Sequence, residues 1–473
     1  MAEGLVRARK AGNAAGAKEP WFRALRKRRG MEAIGVSLAT PTQIQELQKK
    51  LYCKAKEEPE FRFYSLYDKV YRMDILTHAW ALCKANKGAP GVDGRTFEDI
   101  EEYGVERFLM EVATELKEDT YRPEAVRRVM IPKPNGGKRP LGIPTVKDRT
   151  VQSAAKLVLE PIFEADFTPN AHGYRPGHNA VQAVQEVHEV LKAGHTDVVD
   201  ADVSKFFDTI PHFELLRSVA RRVSDGRMLH LVKMWLKAPI EEENGRGGRT
   251  RRSPGNKGTP QGGVISPLLA NIYMRRFLKA WEQRGNEQKL QARIVNYADD
   301  FVILCRGTAP RALSEARGML SRIGLTLNEA KTRTCRAWQE PFDFLGYTFG
   351  RCHAPMTGKP YLGVKPSRTR LARLREKIRD LTRPATLRQS AEELIGAVNR
   401  VLRGWAQYFS YGTLSKAYRA VDAHVVQRVR HWLVRKHKTP TRGTRRYTEE
   451  WMHRTYGLLP LRRSLAVFRT PSM

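Results

Sequence analysis

The amino-acid sequence predicts an α+β protein, in which an antiparallel sheet backed by helices precedes a basic helical region. Three observations support this class. Short strand-like segments with turn residues or acids at their ends occur between residues 125 and 350. Helical segments separate them, and this order is typical of α+β folds. After about residue 365, apolar residues recur at helical spacing instead.

The N-terminal region divides into an arm and helices. Residues 1–40 are rich in Ala, Gly, Arg and Lys and predict a basic, flexible arm. Thr40 and Pro41 form a helix-start signal. The apolar residues of that helix follow at helical spacing: Ile44, Leu47 and Leu51. A second helical pattern, "SLYDKVYRMDILTHAWALCKANKG", is predicted to end at Gly88.

Three segments predict the strands of the sheet. The stretch "AVRRVMIPKPNGGKRPLGIP" indicates two short strands around a Pro-Asn-Gly-Gly turn. The stretch "HTDVVDADVSKFF" indicates a strand that ends in acids, and "NYADDFVILC" a hairpin with its turn at two acids. The stretch "HNAVQAVQEVHEVLKAG" between them is predicted to be helical.

The region from residue 365 to residue 473 predicts three packed helices. Their apolar positions are Leu371, Leu374, Ile378 and Leu381, then Leu394, Val398, Leu402, Trp405 and Phe409, then Val421, Val425, Val429 and Trp432. This region holds 25 Lys and Arg against 7 Asp and Glu, a surplus of 18. Over half of the net charge of +34 therefore lies in less than a quarter of the chain.

The composition limits the class of protein. With 84 basic against 50 acidic residues and a pI near 10.2, the chain favours a polyanionic partner, although this does not separate DNA from RNA. The five cysteines form no C-x-x-C pair, so neither a disulfide framework nor a Cys-rich zinc site is indicated, and we expect buried, reduced thiols. Without a secretory signal or a long apolar run, we expect a cytoplasmic, nucleic-acid-associated protein with no membrane partner.

The acids at the predicted strand ends indicate a metal site. Asp200 and Asp202 lie on one face of their strand. If that strand pairs with the hairpin, a carboxylate of this pair meets Asp299 and Asp300, and a turn must bend those two together. Such a cluster is costly without divalent cations, and all-oxygen ligands favour Mg²⁺, or Mn²⁺, over zinc. Two ions about 4 Å apart support phosphoryl transfer, the chemistry of a nucleotide polymerase.

Nine blocks in order resemble the reverse transcriptases of group II introns. Those around the acids are "DADVSKFFDTI", "GTPQGGVISPLLANIY", "YADDFVILC", "GLTLNEAKT" and "FDFLGYTF". Upstream blocks are "KGAPGVDG", "IPKPNGGKRPLGIP" and "FTPNAHGYRPGHNA", and "VNRVLRGWAQYF" resembles the thumb and maturase region, domain X. The resemblance extends from about residue 60 to the C-terminus.

The resemblance implies a right-hand polymerase, with fingers and palm over residues 41–350 and a helical thumb and maturase domain over 365–473. The residues that match its metal-binding triad, also its catalytic carboxylates, are Asp202, Asp299 and Asp300. Asp200 then has a supporting or merely solvated role, and Asp208 a structural one.

The resemblance also implies contacts with the nucleotide. Phe207 matches the aromatic residue that lies beneath the nucleotide sugar and excludes a 2′-hydroxyl. Because Phe206 is adjacent and must face elsewhere, we expect one of the two to be a core residue. Lys133 and Arg139 flank the Pro-Asn-Gly-Gly turn and can grip the triphosphate, with Lys138 as the alternative to Arg139.

Two further blocks supply candidate residues. Gln261 can hydrogen-bond the nucleotide, and Gly262 beside it lets the backbone approach a base or sugar closely. Lys331 lies where some polymerases place a general acid for pyrophosphate. That work needs a lowered pKa, so a phosphate contact is the first expectation.

The implied function is an RNA-directed DNA polymerase encoded by a group II intron that also promotes splicing as a maturase and supports intron mobility by target-primed reverse transcription. The implied partners are intron RNA, a DNA target and primer, and dNTPs. The oligomeric state is left open. Two alternatives are a maturase that only binds RNA, and a domesticated reverse transcriptase in phage defence or CRISPR adaptation. Because clustered His and C-x-x-C pairs do not occur after the maturase region, we expect no endonuclease of its own.

Overall fold

The computed structural model describes residues 38–132, 136–243 and 248–462. Nearly all of the predicted basic arm lies outside these ranges, as do Lys133 and the end of the predicted helical region after residue 462.

The N-terminal part is helical. Within the described residues, these helices precede the first strand: α1 (Thr42–Glu57), α2 (Tyr67–Val70), α3 (Met73–Ala85), α4 (Phe97–Tyr103) and α5 (Val105–Lys117). The first predicted helix is confirmed, because α1 follows Pro41 and buries Ile44 and Leu51.

The second predicted helix differs, because its pattern spans both α2 and α3. The backbone leaves the helical conformation at Arg72, where ψ is 134°. The Arg72 guanidinium binds both carboxylate oxygens of Asp74, at 3.0 and 2.6 Å, in the first turn of α3. The helix then ends at Ala85, before the predicted stop at Gly88. Apolar spacing continues across such a break, so it does not reveal one.

The first sheet has the strand order β2-β1-β4-β5. Its strands are β1 (Val126–Pro132), β2 (Lys138–Ile143), β4 (Ile240–Glu243) and β5 (Arg249–Arg252). The predicted pair around the Pro-Asn-Gly-Gly turn is confirmed, since β1 and β2 are antiparallel. However, β1 and β4 are parallel, so this sheet is mixed rather than purely antiparallel as predicted.

The second sheet is fully antiparallel and has the order β6-β7-β3-β8. Its strands are β3 (Asp197–Asp202), β6 (Ala292–Tyr297), β7 (Asp300–Cys305) and β8 (Arg333–Arg336). The helices of this part are α6 (Val146–Glu164), α7 (Ala180–Lys192), α8 (Phe206–Thr209), α9 (His212–Ala220), α10 (Gly226–Lys237), α11 (Ser266–Gln283), α12 (Asn286–Lys289) and α13 (Ala309–Arg322). The predicted strand, hairpin and helix are confirmed here.

Both faces of the second sheet are covered. Phe301 and Ile303 of β7 pack into the large core that also contains residues of α11 and α13. Val302 and Leu304 alternate with them and enter a separate core with residues of α7. Successive side chains of a strand point to opposite faces, so a strand covered on both sides reads as a continuous apolar run. This explains the sequence "FVILC".

A third sheet joins these parts to the C-terminal helices. It consists of β9 (Phe342–Phe344), β10 (Tyr347–His353) and β11 (Pro360–Pro366), in the order β11-β10-β9. The helices that follow are α14 (Arg368–Leu381), α15 (Ala391–Tyr408), α16 (Ser415–Lys436) and α17 (Glu449–Tyr456). Three of them were predicted and α17 was not. The chain after α17 is held by Asp422 of α16, whose carboxylate accepts hydrogen bonds from the amides of Leu461 and Arg462.

Two general expectations can be compared with the described residues. All five cysteines lie in them and are unpaired, although Cys53 and Cys352 are only partly buried. None of the helices there has the length and apolar character that crossing a bilayer requires.

Candidate active site

Three acids meet at one end of the second sheet. Asp202, the last residue of β3, lies directly opposite Asp300, the first residue of β7. Asp299 lies in the turn that joins β6 to β7, where Ala298 adopts a left-handed backbone with φ 60°. The structure therefore brings together Asp202, Asp299 and Asp300, as the sequence predicts.

These acids oppose one another's ionisation. Desolvation by the surrounding protein raises the pKa of Asp300 above its ordinary value. The negative charges of Asp299 and Asp202 raise it further. Asp300 is itself exposed to solvent at the start of β7. Burial and the Asp202 charge likewise raise the pKa of Asp299. A nearby cation would relieve this repulsion.

The donor set suits a hard divalent cation, because it consists of carboxylate oxygens without His or Cys. Over the ranges that the structure describes, however, no three acidic, His or Cys side chains are already closed around a metal position. Asp202 faces other partners instead. Its Oδ2 accepts hydrogen bonds from Lys331 Nζ at 2.9 Å and from Asn328 Nδ2 at 3.1 Å.

Lys331 therefore supplies positive charge to the acids. The hydrogen bond to Asp202 raises the pKa of Lys331, which is the direction opposite to that required of a proton donor. Its side chain is 65% exposed, so the ammonium group remains accessible to a phosphate. This environment favours an ionic contact over proton transfer.

Two other acids lie apart from the three. Asp200 faces Arg333, with 3.5 Å between Oδ2 and Nε, and burial raises its pKa to about 6 while Arg333 opposes the rise. Asp208 is exposed on the short helix α8.

Arg139, a predicted nucleotide-contacting residue of the first sheet, lies against the turn before α11. Arg139 of β2 donates a hydrogen bond from Nε to Oε1 of Gln261 at 2.8 Å. The amide of Gly142 also donates to the carbonyl of Gln261. Gly262 has φ 115°, and a Cβ there would overlap the Gly142 carbonyl oxygen. The β1–β2 hairpin therefore packs directly against the turn before α11. Lys138 is exposed on β2.

Both candidate aromatic residues after Asp202 are buried. Phe206 is 2% exposed and Phe207 is 5% exposed, and their rings are 5.6 Å apart. The Phe207 ring also meets the ring of Tyr174 edge-on at 6.3 Å.

Sequence reasoning did not single out three residues around the site. Tyr174 is 44% exposed and has φ 56°. Its segment, "HGYRPG", was recognised only as a block. Asn328 lies within the quoted "GLTLNEAKT" block, three residues before Lys331. Asn271 of α11 lies within the quoted "GTPQGGVISPLLANIY" block, but its contact with Gly173 is created only by the fold.

Sequence families match two segments of the chain. Residues 131–349 match the family "Reverse transcriptase (RNA-dependent DNA polymerase)". Residues 371–451 match the "Group II intron, maturase-specific domain". The first segment contains the three acids, and the second covers most of helices α14–α17.

Individual proteins are also similar. Protein YkfC of Escherichia coli (strain K12) is 34% identical over 342 residues, which cover 64% of this chain and 87% of YkfC. The group II intron-encoded protein LtrA of Lactococcus lactis subsp. cremoris is 36% identical over 220 residues, which cover 46% of this chain but 35% of LtrA. The chain thus spans about a third of LtrA. A Candida albicans telomerase structure aligns with TM-score 0.41 and 11% identity, over 73% of this chain and 67% of that chain.

Proposed function

The chain belongs to the reverse transcriptase and maturase family of group II introns, and from that premise we propose that it copies RNA into DNA at its three-carboxylate site and also holds intron RNA for splicing. The α+β, right-hand polymerase fold predicted from the sequence is the fold of this family. We further propose that residues 41–350 form the fingers and palm, and that the helices after residue 365 form the thumb and maturase domain.

One observation carries the polymerase part of the proposal. Asp202 and Asp300 face each other across two strands, and Asp299 lies in the adjoining turn, in a chain whose net charge is +34. Asp202, Asp299 and Asp300 would hold two Mg²⁺ ions, or Mn²⁺. Bound there, the ions would stabilise charge in phosphoryl transfer. The protein's own residues would position the nucleotide around them.

The residues around the acids have distinct proposed roles. Arg139 and Gln261 would contact the triphosphate and the nucleotide as one hydrogen-bonded unit. Gly262 would let the backbone approach the substrate, and Phe207 would oppose a 2′-hydroxyl. Lys331 would contact a phosphate, and Lys133, outside the described residues, would contact the triphosphate.

The proposed partners are intron RNA, a DNA target and primer, and dNTPs, and the proposed place of action is the cytoplasm. The match to the maturase-specific domain supports the intron role over a domesticated reverse transcriptase. The complete triad supports an active polymerase over a maturase that only binds RNA.

Primer extension on an RNA template in Mg²⁺ tests the polymerase part. Asp202→Ala and Asp299→Ala should each abolish DNA synthesis. Asp68→Ala, which removes an exposed carboxylate distant in sequence from the acids, should not. Synthesis at the wild-type rate by either site variant would refute the assignment.

Splicing of the intron RNA, measured with the same preparations, tests the maturase part. The RNA is expected to supply the splicing catalyst, so the double variant Asp299→Ala, Asp300→Ala should lose DNA synthesis and still promote splicing. If this variant folds and binds RNA without promoting splicing, the two functions do not separate as proposed.

A further inference from the structure

Residues 170–174 run beside the hairpin formed by β6 and β7. Ala171 forms a parallel bridge with Asn296 of β6. The amide of Asn296 donates to the carbonyl of Asn170, and the amide of His172 donates to the carbonyl of Asn296, both at 2.9 Å. The segment therefore extends the sheet at its β6 edge, next to the strand that leads into the acidic turn.

Two asparagines fasten this segment and the turn. Asn271 of α11, which is 9% exposed, donates to the carbonyl of Gly173 at 2.7 Å. Asn296, which is 2% exposed, donates from its side chain to the carbonyl of Ala298 at 2.9 Å. A Cβ at Gly173 would overlap the amide of Ala298, so the two backbones are in direct contact.

Tyr174 leaves this segment in an unusual conformation. Its φ of 56° is rare for a bulky residue, and such strain persists only where the surroundings fix it. The bonds to Gly173 and Asn296 provide that fixation. The backbone from which the aromatic ring projects is consequently fixed.

The ring contacts the proposed sugar-contacting residue, and Gly173 before it touches Ala298, the residue next to Asp299. It meets Phe207 at 6.3 Å with an angle of 74° between the ring planes. Burial raises the pKa of Tyr174, the Asp299 charge adds to the rise, and the Arg139 charge opposes it. Tyr174 is 44% exposed, whereas Phe207 is 5% exposed. Of the two rings, Tyr174 offers more surface to a ligand.

We propose that Tyr174 is a further specificity-determining residue, whose ring forms, together with Phe207, the wall that faces the sugar of an incoming nucleotide. This inference rests on the proposed polymerase function. Tyr174 contacts the sugar with its exposed part and prevents Phe207 from turning away. Without it, Phe207 has room to yield to a 2′-hydroxyl.

Single-nucleotide addition with dNTPs and rNTPs tests this role. Tyr174→Asn removes the ring but keeps a residue that tolerates the left-handed backbone. We expect it to lower the preference for dNTPs over rNTPs by about 3- to 10-fold, the range corresponding to the loss of an aromatic pair, mainly through KM. Tyr174→Phe keeps the ring and should retain most of the preference. Tyr64→Asn, a change at a tyrosine that is 74% exposed elsewhere, is the matched control.

A double variant distinguishes joint action of the Tyr174 and Phe207 rings from a general loss of structure. If the rings act together, adding Tyr174→Asn to Phe207→Ala should lower the preference by less than the product of the two single effects. An unchanged preference in Tyr174→Asn, or fully independent effects, would overturn the inference.

If the wild-type protein shows no primer extension, the proposed polymerase function fails instead. The wall is then tested by comparing the affinities of dCTP and CTP, which differ only at the 2′ position, for the wild type and for Tyr174→Asn, each bound to a primer–template. A change in their affinity ratio would support the wall, and an unchanged ratio would overturn it.

Discussion

The ammonium group of Lys331 lies 2.9 Å from Oδ2 of Asp202, at the end of the sheet where the three acids meet. A substrate phosphate would offer Lys331 an alternative anionic partner, so we expect nucleotide binding to depend on it. Lys331→Ala should raise the KM for dNTPs by about 10- to 100-fold, the effect of losing one charged hydrogen bond, and should change kcat much less. Lys331→Arg should recover part of the affinity. A loss confined to kcat, of about 10²- to 10⁴-fold, would instead indicate proton donation.

Phe207→Ala should admit ribonucleotides at least about tenfold more readily, because the pocket loses the ring that opposes a 2′-hydroxyl. Since Phe207 is 5% exposed, the substitution should also cost about 3–5 kcal/mol of unfolding free energy. Phe206→Ala is the matched control, with a similar loss of stability and an unchanged preference. If the two variants alter the preference equally, Phe207 is a core residue only.

Gly262→Ala should separate the first hairpin from the turn before α11, because a Cβ would overlap the Gly142 carbonyl. We expect a loss of about 1–3 kcal/mol in unfolding free energy, measured by urea denaturation, and a larger fall in primer extension. Gly318 of α13 has open space around its Cβ position. Gly318→Ala should therefore be neutral or stabilise the helix by about 0.5–1 kcal/mol. Equal behaviour of both variants would contradict the close approach.

Charge reversal at the exposed residues Arg373, Arg375 and Arg379 of α14 should weaken binding of intron RNA and flatten its salt dependence. For every phosphate that the variant no longer neutralises, the slope of log K against log salt should fall by about 0.7–0.9. Reversal at the exposed residues Arg311 and Arg322 of α13 provides a comparison outside the proposed thumb. An unchanged slope in the α14 variant would place the RNA elsewhere.

Much of the second sheet could be predicted because its signals are local. The run "FVILC" and the acids before it define β7 and its turn without knowledge of the fold. Helix α17 also had a local signal, since Thr448 caps it and Glu449 and Glu450 occupy its first turn. The helix buries little apolar surface, because Met452 is its only fully buried residue. Apolar spacing therefore did not reveal it.

The contacts that complete the site could not be predicted in this way. Asn271 and Gly173 are 98 positions apart, and Arg139 and Gln261 are 122 positions apart. Each pair meets only when several elements have packed. The parallel pairing of β1 with β4 likewise depends on the intervening helices, and neither strand carries a pattern that specifies its neighbour's direction.

The position of β3 in the sheet also affects when Asp202 can meet its partners during synthesis. It lies between β7 and β8, although it precedes both in the chain, and Lys331 follows Asp202 by 129 positions. At roughly 5–20 residues added per second on the ribosome, Asp202 is synthesised about 6–26 seconds before its partner lysine. The nascent chain must therefore leave β3 unpaired until β7 has been synthesised, with its backbone N–H and C=O groups and its apolar side chains exposed. A chaperone that protects this strand would therefore act before β7 is made.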